Sequence, residues 1–289
     1  MEKEMKRLVI ISDLHCGHRA GLTPPGWQYQ DNQDDKERNT FGSQQRAIWN
    51  FYAETIDRLK PIDILVCNGD AIDGKGERSG GTEQLESDRA KQVEIAAQCI
   101  DYADAKAKVI IYGTQYHTGK EEDFEQILGT KVNAGKVGGH EWLDINGLIF
   151  DFKHFISSSI IPHGRYTSIA RDALWNKIWS MDEMQPNADI IIRSHVHYHR
   201  YAGEPGSLMM TTPALQGFGS KFGVRMCSGR VDIGLISFDI DDNGGYKWQP
   251  HLLKAEFLKV HPLSASNLIA QKTSLPSGTP VSPPNSVTA

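Results

Sequence analysis

Short apolar runs in this chain stop abruptly at side chains that bind metals or move protons. Leu8 to Ile11 runs straight into Ser12-Asp13-Leu14-His15, and Ile62 to Cys67 into Asn68-Gly69-Asp70. Val109 to Tyr112 meets Gly113 and then the cluster Gln115 to His117. Ile190 to Ile192 is followed by Arg193-Ser194-His195-Val196-His197, and Leu148 to Phe152 by Lys153 and His154. Apolar runs without polar alternation read as strands buried on both faces. In open α/β sheets the carboxyl ends of strands line the ligand crevice, so polar groups from distant parts of the chain converge there.

Helical patterns lie between these runs. Residues 43–60 place Ile48, Ile56 and Leu59 near helical spacing before the stop at Pro61. Thr82 is read as the cap of a long helix reaching about residue 107. Further helices are expected near 121–128 and over 166–184. Asn146-Gly147 between two apolar runs is a two-residue hairpin signal. Residues 207–210, 231–239 and 246–250 read as later strands. Residues 19–42 look like a long loop, either the rim of an active site or a solvated insertion. The order favours a layered α/β fold in one domain over residues 1–270. The Pro- and Ser-rich stretch 271–289 reads as a disordered tail.

Composition narrows the function classes. With 39% hydrophobic and 23% charged residues, the chain is neither wholly disordered nor fibrous. Its formal charge of -5 gives no global attraction to nucleic acid or anionic membrane, and no Lys/Arg stripe interleaved with aromatics marks a nucleic-acid track. Cys16, Cys67, Cys99 and Cys227 are scattered, with no CxxC pair. That argues against a disulfide scaffold and for a cytoplasmic setting. The apolar run after MEKEMKR is too short for a signal peptide or a membrane span, so no membrane partner is expected.

The polar set at the strand ends combines carboxylates, imidazoles and an amide, a donor set for Mn²⁺, Fe, Zn²⁺ and related ions. It holds more candidates than one tetrahedral site takes, so two metals are more economical than one. Each D-x-H or H-x-H pair is expected on one side of an extended segment. Asp13-Leu14-His15, Asn68-Gly69-Asp70 and Ser194-His195-Val196-His197 together resemble the calcineurin-like metallophosphoesterase signature, over residues 8 to 200. The resemblance implies a four-layer α/β/β/α sandwich around two metals. By position, it implies that Asp13, His15 and His197 hold one metal, Asp70 bridges both, and His154 and His195 hold the second. His140 and His163 are rivals for the place given to His154, which is preferred because it follows a strand directly.

Two departures from the family pattern stand out. Tyr112-Gly113-Thr114-Gln115-Tyr116-His117 replaces G-N-H-D/E, so Gln115 is expected to supply the amide oxygen, with Thr114 as the alternative, and His117 the catalytic imidazole. Ser194 stands where the family has Gly. Asp73 is read as a third acidic group or as a turn residue. His18, His199, Arg193 and Arg165 are candidates to line the substrate site, and Cys16 is a soft ligand or an inert thiol. Trp175 and Trp179 at helical spacing read as packing.

The implied activity is phosphoester hydrolysis by a hydroxide bridging two divalent ions, Mn²⁺ first, with Fe, Zn²⁺ or Ni²⁺ as alternatives. A small phosphodiester is the preferred substrate. A metal-dependent nuclease acting on DNA or RNA, a catalytically inactive binding protein of the same fold, and a single-metal hydrolase of another family are the competing readings.

Overall fold

The structure is a computed structural model, and it describes residues 5–118, 123–219 and 231–254. Met1–Lys254 cluster as one compact unit. The expected boundary at 270, the 271–289 tail and Cys227 lie outside the described residues.

Each apolar run that meets a polar cluster is a strand. The first sheet contains β1 (Lys6–Ile11), β2 (Ile64–Asn68), β3 (Ala107–Ile111), β4 (Lys136–Gly138), β10 (Gly234–Ile240) and β11 (Tyr246–Leu252). Their order is β11-β10-β1-β2-β3-β4. β1 to β4 run parallel, with β10 and β11 added antiparallel at one side. The second sheet contains β5 (His140–Ile145), β6 (Leu148–Lys153), β7 (Ile190–Arg193), β8 (Arg200–Glu204) and β9 (Ser207–Thr211), in the order β5-β6-β7-β9-β8. β6, β7 and β9 are parallel, and Asn146-Gly147 turns the β5–β6 hairpin.

The sheets pack face to face. One continuous core joins Leu8, Ile10, Val66, Val109 and Ile236 of the first to Phe150, Phe152, Ile190, Ile192 and Met210 of the second. Each side chain of this size contributes about 1.5–3 kcal/mol when fully buried. The alternate residues Val9, Ile11, Leu65, Cys67 and Ile110 are equally buried on the outer face of the first sheet. They are covered by helices: α1 (Lys36–Leu59), α2 (Arg89–Tyr102) and α4 (Phe124–Lys131), with α4 touching β3 and β4. α5 (Gly164–Met181) covers the far face of the second sheet through Ile169, against Ile191 and Met209. The result is the α/β/β/α sandwich that the resemblance implied.

Three local expectations need correction. The helix expected from Thr82 starts at Arg89, where Asp88 caps it by accepting from Ala90 N at 2.9 Å. Gly76 and Gly80, both in the left-handed region, turn the preceding segment away from helix, and Thr82 Oγ1 donates to Ser79 O there. The loop at 19–42 is shorter than expected, because Asp35 caps α1 and the helix begins at Lys36, ahead of the expected start at 43. Ala20, Leu22 and Thr23 are buried, so its first part is packed structure and not a solvated insertion. Trp175 and Trp179 do meet, with ring centroids 5.4 Å apart and planes tilted by 33°, but on the solvent side of α5. No helix of the described residues is long and apolar enough to cross a membrane.

Candidate metal centre

The two sheets bring their polar strand ends to the same end of the sandwich. β1 delivers Asp13 and His15, β2 delivers Asp70, and β3 delivers Thr114 and His117. From the opposite sheet, β6 delivers His154, and β7 delivers His195 and His197. Their ligand atoms fall into three overlapping groups, each within 4.8 Å: Asp13, His15 and His197; Asp70, His154 and His195; and His15, Asp70 and His117.

The chain kinks sharply to do this. Asp13, His15, Asp70, His195 and His197 all have positive φ, between 44° and 71°. The D-x-H and H-x-H segments are therefore not extended, as the sequence suggested. Left-handed kinks at both ends of each triplet turn both side chains into the cluster, at a cost of about 1–2 kcal/mol per residue. Two glycines make the space. A Cβ on Gly69 would lie 2.3 Å from His154 Nδ1, and one on Gly113 would lie 2.1 Å from Asp70 Oδ1.

The donors converge, and the far nitrogen of His154 is committed elsewhere. His154 Nδ1 donates to Asn68 O at 2.7 Å, leaving Nε2 facing Asp70 Oδ2 at 3.0 Å and Asp13 Oδ1 at 3.9 Å. His15 Nε2 and His197 Nε2 lie 3.3 Å apart, and His197 Nε2 is 3.2 Å from Asp13 Oδ1. His15 turns its Nδ1 towards Asp73 Oδ1, 3.6 Å away. Asp13 Oδ1 and His154 Nε2 are buried without a hydrogen-bond partner. Buried donor atoms that converge without a hydrogen-bond partner, one of them on an imidazole whose far nitrogen is held by a carbonyl, suit divalent cations. The residues present fit such ions.

Electrostatics agree. Burial works against charge on Asp13, yet His197 and His154 hold its carboxyl well below the usual range. Burial also opposes charge on His154, but Asp70 and Asp13 overcome it and push the imidazole up to about 10. His195 goes the other way, down to about 4, through burial and then the neighbouring His154. The pocket thus favours one positive charge between Asp13 and Asp70, which a metal would supply more fully.

Of the rivals for the place of His154, His140 pairs with Asp151 at 2.8 Å, and His163 is an exposed residue just before α5. Neither belongs to the three groups. In the altered segment, Thr114 touches Asp70, its N donating to Oδ1 at 2.7 Å, whereas Gln115 starts the short helix α3 (Gln115–Thr118) as an exposed residue. His117 reaches the cluster. Its Nδ1 donates to Asp73 O at 2.7 Å, and its Nε2 lies 4.0 Å from Asp70 Oδ2. Asp73 is buried, with Oδ1 between His15 Nδ1 and His117 Nδ1.

The substrate-lining candidates divide. Arg193 is buried under the site, forked onto Asp151 at 2.8 and 3.1 Å and joined through Nε to Asp172 of α5 at 2.8 Å. It anchors α5 and does not face the centre. Arg165 is buried with its guanidinium 4.3 Å above the Tyr198 ring. His199 is held by Thr211 O and Asp232, and His18 accepts from Ala20 N. Cys16 is fully buried and donates to Leu22 O, as an inert thiol would.

Two residues escaped the sequence reading. Phe155 is 55% exposed, with its ring 5.0 Å from that of His195, and forms an apolar rim. Glu125 of α4 is fully buried behind Asp70, where its Oε2 accepts from Gly113 N at 2.7 Å. Burial, then Asp70, pushes its carboxyl up to about 8. The position of Phe155 directly after His154 was a usable signal, whereas a Glu in a helical first turn reads as surface.

No family model and no curated protein matches the sequence. Solved structures do. Vps29 complexed with Zn²⁺ from Entamoeba histolytica aligns at 14% identity and a TM-score of 0.44, over 85% of this chain and 98% of that one. Vps29 from Cryptosporidium parvum aligns at 11% and 0.43, over 86% and 98%. A novel archaeal phosphodiesterase aligns at 10% and 0.41, over 84% and 99%. Likenesses this distant leave the chemistry to this chain's own side chains.

Proposed function

We propose that this protein is a two-metal phosphoester hydrolase, with small phosphodiesters as its preferred substrates. The observation that carries this reading is the convergence of Asp13, His15 and His197 beside Asp70, His154 and His195 around two inward-facing orphan atoms.

Asp13, His15 and His197 would hold one ion and His154 and His195 the other, with Asp70 between them. When bound, two such ions lower the pKa of a water for attack and stabilise charge on the phosphoryl oxygens. Mn²⁺ is the first choice for an N/O donor set, with Fe, Zn²⁺ and Ni²⁺ behind it. Thr114 N and Oγ1 hold Asp70 in place. His117 is the proton donor to the leaving oxygen. Its Nδ1 is pinned on the Asp73 carbonyl, so the proton moves at Nε2, on the side facing the cluster. Burial lowers its pKa against the pull of Asp70, which makes its protonated form a stronger acid. Phe155 offers an apolar face for an ester substituent.

The test is hydrolysis by the Mn²⁺-loaded full chain of bis(p-nitrophenyl) phosphate, p-nitrophenyl phosphate, and single- and double-stranded DNA. Diester turnover above the other substrates supports the reading. Preference for DNA would replace the substrate class with a nuclease's, and no turnover of any of them would contradict the assignment.

A further inference from the structure

A hydrogen-bond chain runs beneath the centre from the first sheet to the second and back. Asn68 Nδ2 lies 2.6 Å from Ser194 Oγ, Ser194 Oγ 2.7 Å from Thr212 Oγ1, Thr212 Oγ1 2.7 Å from Ser12 Oγ, and Ser12 Oγ 2.7 Å from Asp13 Oδ2. Ser12, Asn68, Ser194 and Thr212 are all 0% exposed. They sit at the carboxyl ends of β1, β2, β7 and β9, so the chain crosses between the sheets twice.

Its two ends fix the direction of every proton. An amide nitrogen only donates and a carboxylate only accepts. The same Asn68 nitrogen lies 3.4 Å from Lys153 O, which sets the amide with its NH₂ towards Ser194. Ser194 therefore accepts from Asn68 and spends its proton on Thr212, and Thr212 spends its own on Ser12. The Ser12 proton has two acceptors in reach, Asp13 Oδ2 at 2.7 Å and Pro213 O at 3.4 Å, and the nearer, charged one takes it.

We infer that this four-residue relay is a positioning device for Asp13, with Thr212 as its key link. The inference rests on the two-ion reading above. The Ser12 hydroxyl and the His195 N–H, at 3.3 Å, both occupy Asp13 Oδ2. Oδ1 remains free and faces His197 Nε2 and His154 Nε2. The relay thus holds Asp13 as a one-oxygen ligand and keeps the carboxylate from rotating to chelate through both oxygens. It also explains Ser194, whose hydroxyl a glycine could not supply. Losing an outer hydrogen-bond partner of a metal ligand typically weakens metal binding about 10–100-fold.

The experiment is a Mn²⁺ titration of the metal-free full chain, followed by calorimetry, on the wild type, T212V and T212S. Thr212→Val keeps the side-chain shape and removes the hydroxyl, and Thr212→Ser keeps the hydroxyl and removes the methyl. The expected result is two sites in the wild type, about tenfold or greater weakening in T212V, and near wild-type affinity in T212S. If T212V fails to fold, Ser194→Ala breaks the chain one link earlier and is read the same way. Wild-type affinity in a folded T212V, or T212S as weak as T212V, would overturn the relay alone. A wild type that takes up no ion would overturn the two-ion reading and the relay with it.

Discussion

His154 and Asp70 come from opposite sheets, yet His154 Nε2 lies 3.0 Å from Asp70 Oδ2. Asp70 also groups with His15 and His117, and His117 Nε2 lies 4.0 Å from the same Oδ2. One carboxylate therefore serves both halves of the cluster. Asp70→Asn keeps the shape but halves the oxygens and removes the charge. It should lower the content of both metals, read by elemental analysis after dialysis. Full retention of both would exclude Asp70 as the shared ligand.

His117 contacts the cluster through one nitrogen, and its other is tied to Asp73 O. Acting as acid, it is needed for turnover and not for metal. His117→Ala should keep two metals per chain and lose about 10²–10⁴-fold in kcat. Loss of one metal equivalent would make it a ligand, and unchanged kcat would remove it from the reaction.

Gln115 was the amide expected on the second metal. Its exposed position at the start of α3 and the contact of Thr114 with Asp70 predict that Gln115→Ala binds two metals with unchanged affinity. A calorimetric loss of one site would restore it as a ligand.

Glu125 predicts a pH effect on stability. Its carboxyl rises from 4.5 to about 8 in the folded chain, through burial and then Asp70. Between those values the folded state keeps a proton that the unfolded state has released. The stabilisation is complete below the unfolded pKa and is lost as pH rises through about 8. In metal-free protein, the thermal midpoint of the wild type should fall relative to that of E125Q between pH 5 and pH 8.5. The size is on the order of a few kcal/mol, at about 2–4 °C per kcal/mol. A wild-type-minus-variant difference flat across this range would show that Glu125 is ionised when folded.

The strands and the cluster were legible because both follow from local chemistry. An apolar run that ends on Asp or His marks a buried strand and its carboxyl end at once, and Ile11-Ser12-Asp13 and Arg193-Ser194-His195 carry that signal. What the sequence hid depends on pairing at long range. The segment before α2 is held out of helix at long range, with Gly74 bonded on both sides by the carboxamide of Gln92, a contact that no local pattern reveals. The left-handed kinks at Asp13 and His197 fall on residue types that tolerate positive φ, but the sequence does not mark which Asp or His adopts it. Gln115 was preferred to Thr114 on its amide alone, whereas which of two adjacent residues meets Asp70 is decided by how the chain enters α3. Glu125 was invisible because burial of a helical Glu depends on what packs over it.

The most direct test is metal content and diester hydrolysis measured on one sample of the full chain reconstituted with Mn²⁺. The account predicts two metals per chain and turnover of bis(p-nitrophenyl) phosphate that disappears on chelation and returns with Mn²⁺. A chain that holds no metal, or turnover unaffected by chelation, would contradict it.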